Sequence, residues 1–114
     1  MSINFYVKNF KLGEEIKKYV EDRLNKFKKF SKDSLSANVK MERSKFQNNK
    51  DVFSCRVVLT IDGRDFTAEK SGSNAFEAMD NVEEALESLI LKDKDQRIST
   101  RKKLKDVNKL DISL

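Results

Sequence analysis

Four stretches of this chain alternate apolar and polar residues with a period of two. In the first, Ile3, Phe5 and Val7 alternate with Asn4, Tyr6 and Lys8. In the second, Ala37, Val39 and Met41 alternate with Asn38, Lys40 and Glu42. The third sets Phe53, Cys55, Val57, Leu59 and Ile61 against Ser54, Arg56, Val58 and Thr60. The fourth sets Phe66 and Ala68 against Asp65, Thr67 and Glu69. Successive strand side chains point to opposite faces, so each stretch predicts a strand with one buried and one wet face. Asp62-Gly63 lies between the last two, and this dipeptide favours a two-residue hairpin. Pairing across it sets Leu59 opposite Phe66 and Val57 opposite Ala68, apolar against apolar.

Two further stretches follow the helical period. Leu12, Ile16, Tyr19, Val20, Leu24 and Phe27 form one apolar stripe; Ala75, Phe76, Met79, Val82, Leu86, Leu89 and Ile90 form another. Asn74 is placed to cap the second helix, with Glu77 three residues on as its capping-box partner. The order is strand, helix, three strands, helix. A four-stranded sheet with both stripes on one face buries every apolar set and leaves its other face in water. The predicted fold class is α+β, a two-layer β-α-β-β-β-α sandwich. Cys55 points into that core and reads as packing.

From Arg97 onward the apolar stripe stops. The expected division is a folded domain over residues 1–96 and a basic tail over 97–114, either a mobile arm or a frayed continuation of the second helix. The segment Arg43–Asp51 reads as a long loop between strands, and long ordered loops often carry function. Phe46 within it is placed either to stack on a base or to tuck under the loop.

Charge sharpens the picture. Residues 1–50 carry thirteen Lys/Arg against six Asp/Glu, residues 51–96 five against eleven, and residues 97–114 six against two. A basic front and a basic tail therefore enclose an acidic middle, within a formal net charge of +5. Such segregation suits a protein that turns one cationic surface toward a polyanion; ordinary solvated faces are the alternative. No apolar run approaches the 18 or so residues that a membrane span needs, and the first residues lack a signal-peptide pattern. One cysteine supplies no disulfide framework and fits a reducing cytoplasm.

The catalytic inventory is thin. The chain has no histidine, and Cys55 alone cannot build a zinc site. No nucleophile motif or glycine-rich phosphate cradle is present. Glu83, Glu84 and Glu87 read as the solvated outer face of the second helix. Binding is expected, not catalysis, with no cofactor and no small-molecule substrate. At 100° per residue from Ile16, Arg23 falls at about 340°, Lys26 at about 280°, Lys29 at about 220° and Lys18 at about 200°. They form a cationic ridge interrupted by Asp22, able to meet successive phosphates. The stems of Arg23 and Lys26 can at the same time cover Tyr19 and Phe30.

The helix IKKYVEDRLNKFKKF, the hairpin with Asp62-Gly63 and the helix start NAFEAMDNVEEAL, taken in order, resemble the bacterial ribosome hibernation-promoting factors, or ribosome-associated inhibitors. The likeness spans roughly residues 1–94. Its most specific part is Tyr-Val-x-x-Arg-Leu-x-Lys at 19–26, supported by the run from Phe76 to Asp80. The resemblance implies a fold similar to double-stranded-RNA-binding domains. It also implies binding to the small ribosomal subunit, with its 16S-type rRNA, at the decoding region. There it would occlude messenger and transfer RNA and silence translation in non-growing cells. Carried over residue by residue, the rRNA contacts are Arg23, Lys26 and Lys29, with Lys18 beside them, and Lys92 and Lys94 at the end of the second helix. Where family members carry basic residues this chain has Ala85 and Ser88, and Arg97, Arg101, Lys102 and Lys103 are placed to take over that load. In length the chain resembles the short members. Two alternatives stand beside this reading: a general double-stranded-RNA-binding module and a protein-interaction adaptor. The first normally carries lysines at the start of its second helix, where this chain reads SGSNAFEAMD.

Overall fold

The computed structural model describes the backbone of residues 1–45 and 50–113, and the side chains of residues 1–45 and 50–94. Strand β1 (Ser2–Lys8) leads into helix α1 (Glu14–Asn25), which tightens into a 3₁₀ turn over Lys26–Phe30. Strands β2 (Leu35–Lys45), β3 (Asp51–Ile61) and β4 (Arg64–Gly72) follow, then helix α2 (Ala75–Ser113). The sheet order is β1-β2-β3-β4. The α1 crossover returns the chain so that β1 runs parallel to β2, and the other neighbours are antiparallel. This is the β-α-β-β-β-α sandwich that the periodicities predict.

The register follows the apolar alternation. Leu59 pairs with Phe66 and Val57 with Ala68 across the β3–β4 hairpin, and with Ala37 and Val39 across β2. Asp62 (φ 49°) and Gly63 (φ 85°) form the turn. Both sit in the left-handed region that a two-residue hairpin matching the strand twist requires. The inner faces meet Val20, Leu24 and Phe27 from the first helical segment and Ala75, Ala78, Met79, Val82, Leu86 and Ile90 from α2, all buried. Cys55 packs 3.9 Å from the Met79 sulfur, and burial pushes its thiol pKa up to about 12.

Local chemistry explains where the elements start and stop. Glu14 and Glu15 open α1 and Arg23 lies in its last turn, the charge order that complements the helix dipole. Asn74 Oδ1 accepts the Glu77 N–H at 2.8 Å and caps α2 as expected. The Glu77 carboxylate instead accepts from the Ser73 hydroxyl at 2.8 Å, one residue further out than a capping box predicts. Gly72 closes β4 because a Cβ there would stand 2.8 Å from the Ala78 nitrogen.

Other expectations need correction. Strand pairing reaches Lys45↔Asp51, so Arg43, Ser44, Lys45 and Asp51 of the segment read as a long loop are strand. The antiparallel ladder outlasts the apolar alternation because polar side chains at a sheet's end cost its hydrogen bonds nothing. Phe46 lies outside the described residues. Leu12 precedes α1, though it still packs on the core. Phe76 and Leu89 leave the buried stripe at 37% and 40% exposure, while Ala78 takes a core place. A helix resting on a flat sheet buries a narrower arc than a seven-residue apolar stripe spans. The backbone of α2 is one helix to Ser113; the side chains of Arg97, Arg101, Lys102 and Lys103 lie outside the described residues.

Candidate nucleic-acid interface

Tyr19, Arg23 and Lys26 share one face of the α1 segment because they stand four and three residues apart. Asp80, Glu83 and Glu87 share the facing side of α2 for the same reason. Where the helices pack, these two rows interlock. Arg23 Nη2 donates to the Tyr19 hydroxyl at 2.7 Å, and that hydroxyl donates to Asp80 Oδ1. The guanidinium carbon lies 4.7 Å from the Tyr19 ring centre, a cation–π distance. Arg23 also stands 3.6 Å from Asp80 and 3.4 Å from Glu83. The Lys26 ammonium bridges Glu83 and Glu87, reaching Glu87 Oε2 at 2.8 Å. Phe76 closes the end of the seam, its ring edge-on to Tyr19 at 5.0 Å.

The electrostatics follow from these contacts. The Tyr19 phenol is raised above its ordinary pKa, chiefly because it donates to Asp80. Lys26 is raised by its bonds to Glu83 and then Glu87, and Glu87 is lowered by its bond to Lys26. The seam thus sets two cations against three carboxylates. Glu83 is 7% exposed, so it is not the solvated outer-face residue the sequence suggests. A lone buried carboxylate is costly, and two cations converge on this one.

The expected ridge therefore divides. Arg23 and Lys26 are brought together and their charge is answered within the protein. Lys18 and Lys29 are exposed on the same helical segment, and Lys29 lies 5.2 Å from the Phe30 ring. Lys92 and Lys94 are exposed on α2, just where Arg64 of the hairpin grips Asp93 at 2.7 Å. None of these four lysines joins an ion pair among the described residues. Ala85 and Ser88 line a shallow groove with Lys70, Asn81 and Glu84 against β4. The seam carboxylates escaped sequence reasoning, although the spacing 80, 83, 87 mirrors 19, 23, 26 and is the signal that reveals them.

One further constellation lies at the hairpin. The Asp62 carboxylate accepts the backbone N–H groups of Lys32 (2.9 Å), Asp33 (2.7 Å) and Ser34 (2.9 Å), and the Ser31 hydroxyl. Its own N–H donates to the Ser34 carbonyl at 2.9 Å. These bonds, led by the Lys32 N–H, hold the carboxyl down at about 2. The β3–β4 turn is thereby fastened to the turn that enters β2.

A two-layer β-α-β-β-β-α domain, its parallel β1–β2 pair joined by a helix that runs on into the basic turn Lys26–Phe30, is the class these observations define. Residues 3–98 match the family described as Sigma 54 modulation protein / S30EA ribosomal protein, and the chain belongs to it. This is the hibernation-promoting factor family that the sequence pattern resembles, a family of ribosome-associated proteins. Among solved structures, the fold is similar to the N-terminal domain of Protein Y from Thermus thermophilus. That match has 19% identity and a TM-score of 0.67, and covers 79% of this chain and 96% of that one. A ribosomal subunit interface protein from Coxiella burnetii is also similar, at 12% identity and a TM-score of 0.61, covering 83% and 99%. Comparison with curated protein sequences finds no match.

Proposed function

We propose that this chain binds the small ribosomal subunit near the decoding centre, occludes the messenger and transfer RNA sites, and inhibits translation in non-growing cells. It acts in the cytoplasm by occupancy, without catalysis. The observation that carries the reading is family membership over residues 3–98. The exposed lysines that join no ion pair among the described residues support it. Lys18 on the first helix, Lys29 in the turn that follows it, and Lys92 and Lys94 on the second supply phosphate contacts, each releasing counterions from the RNA. Arg23 and Lys26 act differently: a phosphate reaches them only in competition with Asp80, Glu83 and Glu87, so they orient the seam and lend part of their charge. Arg97, Arg101, Lys102 and Lys103, in a tail beyond the 1–96 domain, extend the contact.

The test is sedimentation with ribosomes on a sucrose gradient, together with a cell-free translation assay. Wild type should travel with the small subunit and lower protein synthesis. Replacing Lys18, Lys29, Lys92 and Lys94 by glutamine should weaken association and flatten its log–log salt dependence by roughly three units, with the melting temperature unchanged. Truncation after Gln96 should weaken it further. Full-strength association by both variants would remove the basis of the reading.

A further inference from the structure

The sheet face that carries no helix presents a side-chain array that the ribosome-facing reading leaves unused. Register places Tyr6, Lys40, Arg56 and Glu69 in one cross-strand row, and Asn4, Asn38, Val58 and Thr67 in the next. Tyr6 is the most exposed large hydrophobic side chain among the described residues, at 62%. It lies beside a shallow depression of about 240 Å³ lined by Asn4, Tyr6, Asn38, Lys40, Arg56 and Val58. That lining holds two cations and no carboxylate. Glu69 flanks Arg56 on the β4 side and Glu42 lies two residues along from Lys40, both outside the lining. Neither Lys40 nor Arg56 is ion-paired among the described residues.

We infer that this face is a second binding surface, for a short single-stranded nucleic acid segment. The Tyr6 ring offers a stacking platform, and its π face already holds the Lys40 ammonium at 5.9 Å. A nucleobase stacking there releases Lys40 toward the phosphate next to it, with Arg56 on the neighbouring strand meeting the following one. Asn4 donates to Asn38 at 3.1 Å. That bond leaves the Asn4 Oδ1 acceptor and both N–H donors of the Asn38 amide unpaired among the described residues, a set suited to a base edge. Val58 supplies the apolar floor. Base-paired RNA does not fit, because its bases are stacked on one another and cannot turn a free face to Tyr6.

The experiment uses the full chain, a fluorescein-labelled eight-nucleotide RNA of mixed sequence at low salt, and amide NMR shift mapping. The expected result is binding with shifts at Asn4, Tyr6, Asn38, Lys40, Arg56 and Val58. Tyr6→Ala should weaken binding by roughly 5- to 100-fold, while Tyr6→Phe should stay within about two-fold. Both variants should melt with wild type, because the ring is exposed. Lys40→Gln with Arg56→Gln should reduce the log–log salt slope by about 1.4. The deoxy form of the same oligonucleotide distinguishes RNA from DNA as the source, and binding by either supports the site. No oligonucleotide binding, unchanged affinity in Tyr6→Ala, or shifts confined to α1 would each overturn the inference. Because ribosome sedimentation reports on the helix-borne lysines, failure here leaves that reading standing, and failure there leaves this one.

Discussion

Replacing Lys26 by methionine would leave the 7%-exposed Glu83 carboxylate with Arg23, at 3.4 Å, as its remaining cation among the described residues. Losing one partner of a fully buried pair costs about 3–5 kcal/mol, but Lys26 is 38% exposed and water screens the loss. Destabilisation of about 1–2 kcal/mol is expected, and adding Glu83→Gln should recover part of it. A double-mutant cycle by urea denaturation reads this coupling, and strict additivity would contradict it. For the same reason Arg23→Glu with Lys26→Glu would damage the fold along with any RNA contact. The exposed lysines are the cleaner probes. Asp62 yields a prediction in pH. Its carboxyl is held at about 2 in the folded state against an ordinary 3.8. A depressed acid contributes stability that is complete above the unfolded value and is lost as pH falls from about 4 through about 2. Acid titration of thermal stability should therefore show a loss in that window in wild type and a shallower one in Asp62→Asn, which keeps the turn.

At the scale of elements, β3 carries the most cohesion because it pairs on both sides and lies under α2. Leu59→Ala removes a side chain with 0% exposure between Ala37 and Phe66. It should cost about 2–5 kcal/mol of a total near 5–15, read as a fall in denaturation midpoint at constant m-value. That strand was legible from Phe53 to Ile61 in the sequence, as was the hairpin register, because a period of two admits one facing and Asp62-Gly63 fixes the loop length. Helix positions were legible at Val20, Leu24, Met79, Val82 and Leu86. They were misread at Phe76 and Leu89, since a stripe reports what is apolar, not how wide its neighbour is. The site was half legible. Arg23 and Lys26 stood out as basic residues on one helix face, but that they meet Glu83 depends on how two helices distant in sequence cross. No pattern within one helix carries that information. The Asp62 bonds were hidden for a related reason: their donors are backbone N–H groups, which have no signature in residue identity.

For the whole molecule, the lengths of chain enclosed by its contacts differ greatly. The β3–β4 pairing closes a two-residue turn, whereas β1 reaches β2 only after residues 9–34 have been gathered between them. Closing the longer segment costs more entropy before any bond rewards it, so the β2-β3-β4 meander should form first and β1 should join late. The Asp62 contact to Lys32, Asp33 and Ser34 ties the end of that long segment to the early meander. It thereby shortens the search that β1 still faces. Asp62→Asn should accordingly slow refolding, whereas Phe5→Leu should act mainly by speeding unfolding, a division that stopped-flow chevrons resolve. The same carboxylate that sets the acid limit of the folded state then acts as a timing element. It fixes where the second strand begins before the first has found its place beside it.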